Sequence, residues 1–334
     1  MATSTSRARI TDVARIAGVS LATVSRVMNG NPTVDATLAA RVRAVAADLG
    51  YTANPVARSL VLGRTQTIAV VIPDLANPTF QGILRGLSRA AADDDYHVLI
   101  ADSAEQVDVE VGLVTTTRRR TDGVVLCAPR MPAGDLAGVL PSVTPAVVVN
   151  RLPQDAAPTV SADYGTAMGQ IVEHVYGLGH RRIAYLSGVV GSVSGSARQS
   201  ALEAARAAHS DLEILELPAG VGFDSGAAIV DDVLASGATA ALAFNDLVAM
   251  GLLSSLAERG IRVPDDISVT GFDDIPFATY TTPPLTTAAV PAAELGQRAW
   301  AAMRALLDGT QPQSAVLTPE LVVRESTGPA PSGH

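Results

Sequence analysis

Residues 11–29, TDVARIAGVSLATVSRVMN, decide how the rest of the chain is read. Thr11 is placed to cap a first helix, its hydroxyl accepting one of the amide hydrogens that the first turn leaves without a partner. Val13, Ala14 and Ala17 follow at helical spacing and form an inward face. Gly18 supplies the left-handed conformation that ends a helix, and Val19 closes the corner. Ser20 caps a second helix, in which Val24, Val27 and Met28 face inward while Leu21, Ala22, Ser25 and Arg26 face solvent. An ordinary helical hairpin shares the helix–glycine–helix outline. Three features favour a helix-turn-helix whose second helix is presented to a DNA major groove: its N-terminal position, its positive charge and the sensor-like body behind it.

The charge is divided unevenly. The 334-residue chain has a formal charge of −9, yet residues 1–64 hold eight arginines against three aspartates, a net +5 that leaves −14 for the rest. A basic head on an acidic body confines attraction for phosphate to one end. All 24 basic residues are arginine, which with the abundant alanine reads as genomic base composition rather than mechanism. A hydrophobic fraction of 48% suits two or three packed domains and excludes wholesale disorder. The single cysteine, Cys127, rules out an intramolecular disulfide and a cysteine-built zinc site, and its place after GVVL predicts a buried thiol at a strand end. No signal peptide opens the chain and no apolar run is long enough to span a bilayer, so a cytoplasmic, nucleoid-associated protein with no membrane partner is expected.

Taken in order, residues 1–9 read as a disordered basic arm. A third helix is predicted from about Ala36 to Leu49, capped by Asp35, with Leu38, Val42, Val45 and Leu49 on one face and Gly50 as its stop. The segment NPVARSL (54–60) has two readings, a plain linker or a hinge that becomes helical only when docked on DNA. From Thr67 apolar runs (68–72, 97–101, 123–127, 146–150, 182–186, 212–217, 240–244, 267–272) alternate with helical stretches near 79–93, 106–119, 165–178, 196–208, 224–236 and 246–259. Continuous apolar strands alternating with helices predict parallel sheets covered on both faces. The pattern restarts near Val160, which predicts two doubly wound lobes.

Ligands of such folds bind beyond the carboxyl ends of the strands. Asp74, Asn150, Asn245 and Asp273 all fall there, and with Arg198 they suit a polar ligand clamped between lobes through charge-assisted hydrogen bonds. Phe80 and Phe223 are the candidates for stacking on its apolar face. No dinucleotide, Walker or nucleophile-elbow motif is present, so no enzyme is predicted. GSVSGSA (191–197), lacking a following Lys-Ser/Thr, reads as a mobile loop at the pocket edge. The five histidines show no metal-ligand spacing, and His180 reads as structural. No cofactor is expected.

ITDVARIAGVSLATVSRVMNG, LGYTANPVARSL, IAVVIPDLANPTF, GLGHRRIAYLSG, FNDLVAMG and VPDDISVTGFDD followed by PPLTT run almost the length of the chain. Together they resemble the LacI/GalR family of bacterial transcription regulators. The resemblance implies an all-α helix-turn-helix headpiece plus an α/β two-lobed core, two doubly wound parallel-sheet subdomains of periplasmic-binding-protein type. It implies a headpiece at 1–52, a hinge at 53–64 and a core at 65–330, with one subdomain about 65–160 and 290–316 and the other about 161–289 and 317–330. It further implies a homodimer on a pseudo-palindromic, double-stranded operator, controlled by a small molecule, a sugar or derivative in preference to a nucleoside or sugar phosphate. Leu21, Ala22 and Arg26 fall on base-reading positions, Thr23, Ser25 and Asn29 on phosphate positions, and Leu60 on the minor-groove wedge. Effector contacts fall on Asp74, Phe80, Asn150, Arg198, Phe223, Asn245 and Asp273. The tail after Arg324 lacks heptads, which favours a dimer over a tetramer. A sugar-binding receptor or carrier shares the two-lobed body; the basic helix-turn-helix in front distinguishes the two.

Overall fold

The computed structural model describes residues 8–29, 33–52, 63–189 and 191–331. The chain divides into two units, Met1–Gln66 and Thr67–His334.

In the first unit, α1 (Ile10–Ala17), α2 (Leu21–Met28) and α3 (Ala36–Asp48) enclose Val13, Ala14, Ala17, Val24, Val27, Ala39, Val42 and Ala46. The first helix starts one residue before the predicted cap. Arg9 holds the cap position, and its amide donates to Asp12 Oδ2 at 3.0 Å, so Thr11 lies inside the first turn. A carboxylate in the first turn also meets the positive end of the helix dipole, which a hydroxyl cannot do. Gly18 takes φ 66° as the turn requires. Asp35 Oδ1 accepts the Leu38 amide at 3.0 Å as predicted. The buried face of α3 is Ala39, Val42 and Ala46, with Leu38, Val45 and Leu49 only half-buried at its edge. The predicted hinge segment 54–60, Leu60 included, lies outside the described residues.

The second unit begins with β1 (Thr67–Ile72), α4 (Pro78–Ala92), β2 (His97–Asp102), α5 (Val107–Arg118), β3 (Gly123–Cys127), α6 (Ala133–Val139), β4 (Ala146–Val149) and β5 (Thr159–Ala162). The chain then enters a second lobe of α7 (Tyr164–Gly177), β6 (Arg182–Ser187), α8 (Val193–Ala208), β7 (Glu213–Pro218), α9 (Phe223–Ala228), α10 (Val230–Ala235), β8 (Ala240–Ala243), α11 (Asp246–Glu258) and β9 (Ser268–Thr270). It closes with β10 (Thr287–Ala289), α12 (Ala292–Leu307), β11 (Ala315–Leu317) and β12 (Glu320–Val322). The first sheet has the order β11-β5-β4-β3-β1-β2 and the second β7-β6-β8-β9, both parallel, while β10 pairs antiparallel with β12. The chain therefore crosses between lobes after β5, through β10 and again after β11. Central strands β3, β4 and β8 are buried at every residue, as parallel strands covered on both faces must be.

Two predicted features change. The helix expected over 224–236 breaks at Ile229 into α9 and α10. The stretch read as a mobile loop is already helical from Val193, because Ser192 Oγ accepts the Gly195 amide and starts α8 there. The short strands β5, β10, β11 and β12 hold too few residues to show a period. Close helix packing fixes each lobe. A Cβ at Gly86 would stand 2.0 Å from the Ala293 carbonyl oxygen, and one at Gly226 2.0 Å from that of Val248, so α4 meets α12, and α9 meets α11, backbone to backbone.

Candidate functional site

Two sites can be built from the residues upward. In α2, Ser20 Oγ accepts the Thr23 amide at 3.1 Å, fixing the first turn, and Val24 and Val27 bury the opposite face. That leaves Leu21, 48% exposed, Ala22 and Arg26 on the outside. Arg26 enters no ion pair among the described residues, so its fork of donors is available. Thr23 Oγ1 lies 2.9 Å from Ser20 Oγ, and Asn29 Nδ2 donates to Ser25 Oγ at 3.4 Å, so the polar residues of this face are steadied locally.

The second site lies between the lobes of the core, around Arg198 on α8. Its side chain is buried, 1% exposed, and three rings cage the guanidinium: Phe272 at 3.9 Å, Phe244 at 4.4 Å and Tyr164 at 4.7 Å. Each contact is a cation–π interaction. Nε and Nη1 have no hydrogen-bond partner among the described residues. Unpartnered buried donors on a cation are costly unless something supplies acceptors. The cavity they line encloses about 40 Å³, walled by Asn77, Thr79, Phe80, Glu105, Arg130, Asn150, Tyr164, Ser194, Phe244, Asn245 and Asp273 among others.

Strand ends build this wall. Glu105, Ala128, Asn150 and Asp273, which follow β2, β3, β4 and β9, all have positive φ, from 43° to 106°. Four non-glycine residues held in that region mark a place where backbone strain is tolerated for position. Thr79 Oγ1 on the first turn of α4 donates to Asp273 Oδ2 at 2.8 Å, tying one lobe to the other. Burial pushes the Asp273 carboxyl up to about 6, against the opposing pull of Arg198 and Thr79. Behind it, Asp246 is fully buried, accepts from Thr287 Oγ1 at 2.6 Å and the Ile275 amide at 2.7 Å, and is held well above the usual carboxylate range by burial and by Asp273. Arg130 and Glu105 pair face to face at 2.7 and 2.8 Å.

Of the seven effector residues predicted, Phe80, Asn150, Arg198, Asn245 and Asp273 line the cavity. Asp74 and Phe223 are not among its lining residues. Asp74 Oδ1 turns back to accept the Ala76 amide at 2.8 Å, and Phe223, 47% exposed, opens α9. Asn150 and Asn245 engage both amide groups with the protein. Asn150 accepts the Ala162 amide and donates to Tyr164 Oη, while Asn245 accepts the Val248 amide and donates to the Val221 carbonyl. Their part here is to hold the crossover and the start of α11. Sequence reasoning missed Tyr164, Phe244 and Phe272. Phe244 and Phe272 stand one residue before Asn245 and Asp273, so the strand-end rule carried one position back would have found them. Glu105 and Arg130 left no such signal, since only the fold pairs them. His180 is structural, with Thr239 Oγ1 at 2.8 Å from Nδ1, Gly328 O at 3.0 Å and Ser268 Oγ at 3.1 Å from Nε2. Cys127 is buried, and desolvation pushes its thiol up to about 12.

Residues 9–54 match the lacI family of bacterial regulatory proteins, and residues 172–327 match a periplasmic binding protein-like domain. The chain is 33% identical to the HTH-type transcriptional repressor CytR of Escherichia coli (strain K12), covering 97% of each. It is 31% identical to the ribose operon repressor of the same organism, over 96% of this chain and 99% of that one. Among solved structures, the lac repressor dimer bound to operator and the anti-inducer ONPF aligns with a TM-score of 0.86 at 28% identity, covering 97% of this chain and 100% of that one. These similar proteins are repressors rather than enzymes.

Proposed function

The chain belongs to the lacI family of bacterial regulatory proteins, and from that premise we propose a repressor that binds operator DNA as a homodimer and responds to a small polar molecule held between its core lobes. The observation that carries the reading is Arg198, a buried cation that lines the interlobe cavity and whose Nε and Nη1 have no partner among the described residues. A polar ligand supplies the acceptors. The cavity of about 40 Å³ holds no more than a water or two, so a sugar enters only if the lobes move apart. That movement is the differential state a ligand needs in order to shift an equilibrium.

On DNA, Arg26 reads guanine through two parallel hydrogen bonds, and Leu21 and Ala22 pack against thymine methyl groups. Thr23, Ser25 and Asn29 hold phosphates and set the register. Leu60, outside the described residues, is assigned the minor-groove wedge. Support for the homodimer comes from β2, a strand at the edge of its sheet whose Leu99 and Ile100 are 39% and 46% exposed. A two-fold axis along this edge would cover the strand and its exposed side chains with their copy.

The test is to select an operator from random duplexes, then titrate it by fluorescence anisotropy against a panel of sugars, sugar phosphates and nucleosides. One class of compound should change operator affinity at least tenfold, and Arg198→Ala should abolish that response while leaving DNA binding intact. Sequence-independent binding would overturn the operator reading. A selected operator with no responsive compound, and no compound raising the melting temperature, would overturn the effector reading.

A further inference from the structure

In the second lobe, β6 and β7 pair with Tyr185 opposite Glu216 and Ser187 opposite Pro218. Tyr185 and Ser187 stand two apart on β6, so with Glu216 they share one face of the sheet. On α8, Ser192, Ser196 and Gln199 recur at the spacing of one helical side. These residues line a cavity of about 260 Å³. It has no lining residue in common with the interlobe cavity, to which α8 gives Ser194 and Arg198 instead. The carboxyl ends of parallel strands are also where doubly wound sheets receive ligands.

The polar groups of this cavity are unevenly satisfied. Gln199 Nε2 donates to Glu216 Oε2 at 2.9 Å, Ser196 Oγ donates to the Ser192 carbonyl at 3.3 Å, and Ser192 Oγ accepts the Gly195 amide at 3.2 Å. Tyr185 is only 1% exposed, yet its hydroxyl makes no hydrogen bond among the described residues. The Ser187 hydroxyl and Glu216 Oε1 make none there either. Burial holds the Tyr185 phenol above its ordinary range, while Arg198 pulls it down and Glu216 pushes it up. The hydroxyl thus lies in the field of both charges. A buried hydroxyl without a partner calls for one, and the cavity is where a partner can reach it.

We propose that this cavity is a second small-molecule site, confined to the second lobe, for a neutral polyhydroxylated ring. Ring hydroxyls donate to Glu216 Oε1 and exchange hydrogen bonds with Tyr185 and Ser187, which both donate and accept. An anion would meet the Glu216 carboxylate. A cation would meet the positive end of the α8 dipole and find no second carboxylate on the wall. Size is sufficient for a six-membered ring, since a cavity of about 150 Å³ already accepts benzene. The site stands apart from the effector reading of the interlobe cleft.

The full chain, labelled with nitrogen-15, is titrated with myo-inositol, D-glucose and D-ribose, and its backbone amides are followed by NMR. The amides of Tyr185, Ser187, Ser196, Gln199 and Glu216 should move along one saturating curve with at least one of the three. Tyr185→Phe keeps the ring in the core and removes only the hydroxyl, and Glu216→Ala changes an exposed position. Each should weaken that binding at least tenfold, while Asp273→Asn, in the interlobe cavity, leaves it unchanged. No saturable movement of these amides with any probe, or unchanged affinity in both cavity variants, would overturn the site. So would movement confined to Asn150, Asn245 and Asp273, or a response lost in Asp273→Asn, either of which puts the probe in the interlobe cleft. An equal response to inorganic phosphate or to methylammonium would overturn the neutral ligand. Failure here leaves the operator titration untouched, and failure of that titration leaves this site untouched.

Discussion

Arg26, with no ion pair among the described residues, and Arg198, with two donors unpartnered among them, are one residue type in opposite surroundings. Arg26 stands in solvent on a helix whose shape is set by its neighbours in sequence, where an unpaired guanidinium is hydrated at no cost. Arg198 is buried beneath three aromatic rings gathered from separate segments, and Nε and Nη1 lack partners there. The first contributes only when DNA arrives. On the reading proposed above, the second burdens the protein until a ligand supplies acceptors. The proposed reader and the proposed sensor thus place one side chain in two energetic regimes.

The contrast breaks most readily at Arg198. Replacement by Ala should remove the effector response altogether while the operator footprint is unchanged; a normal response would mean that the ligand sits elsewhere. Arg198→Met should change the stability of the core by less than about 2 kcal/mol, because it removes two unsatisfied donors but also three cation–π contacts and the attraction to Asp273. Chemical denaturation checks this, and a loss of several kcal/mol would show the charge to be compensated after all. Arg26→Ala should leave stability untouched and remove about 1–3 kcal/mol of base discrimination, read as relaxed operator choice in anisotropy titrations. In the headpiece, Ser20→Ala deletes the acceptor for the Thr23 amide and should lower headpiece stability by about 1 kcal/mol.

A pH-dependent effect is expected at the interlobe tie. Asp273 has a folded-state pKa raised to about 6. Its charge therefore opposes folding above that pH, and the opposition fades as the pH falls through 6 toward the unfolded-state range. Asp273→Asn keeps an acceptor for Thr79 and tolerates positive φ. It should raise the melting temperature at pH 7.5, and that advantage should shrink below pH 6 and be gone only near pH 4. An advantage independent of pH would remove Asp273 from the titrating groups of the cleft.

The elements were legible where local chemistry sets them. The order of the major strands and helices, the α2 cap at Ser20 and the buried Cys127 all follow from period and turn residues. Errors came where a stronger neighbour competed, as Asp12 did for the first helix and Ser192 for the start of α8. In the cleft, the strand-end rule located Asn150, Asn245 and Asp273 but not how they are used. Their sequence positions are those of ligand contacts, yet both asparagine amides are engaged with the protein.

By itself, then, the sequence determined the helix-turn-helix, the two parallel lobes and the exposed arginine on α2. Each depends on residues a few positions apart, whose spacing and capping chemistry are local. Only the tertiary structure decided the aromatic cage, the Arg130–Glu105 pair and the Thr79–Asp273 tie. Thr79 and Asp273 are 194 residues apart. Their contact depends on two sheets closing across crossovers, and no local propensity records which side chains that closure leaves satisfied and which it leaves waiting for a ligand.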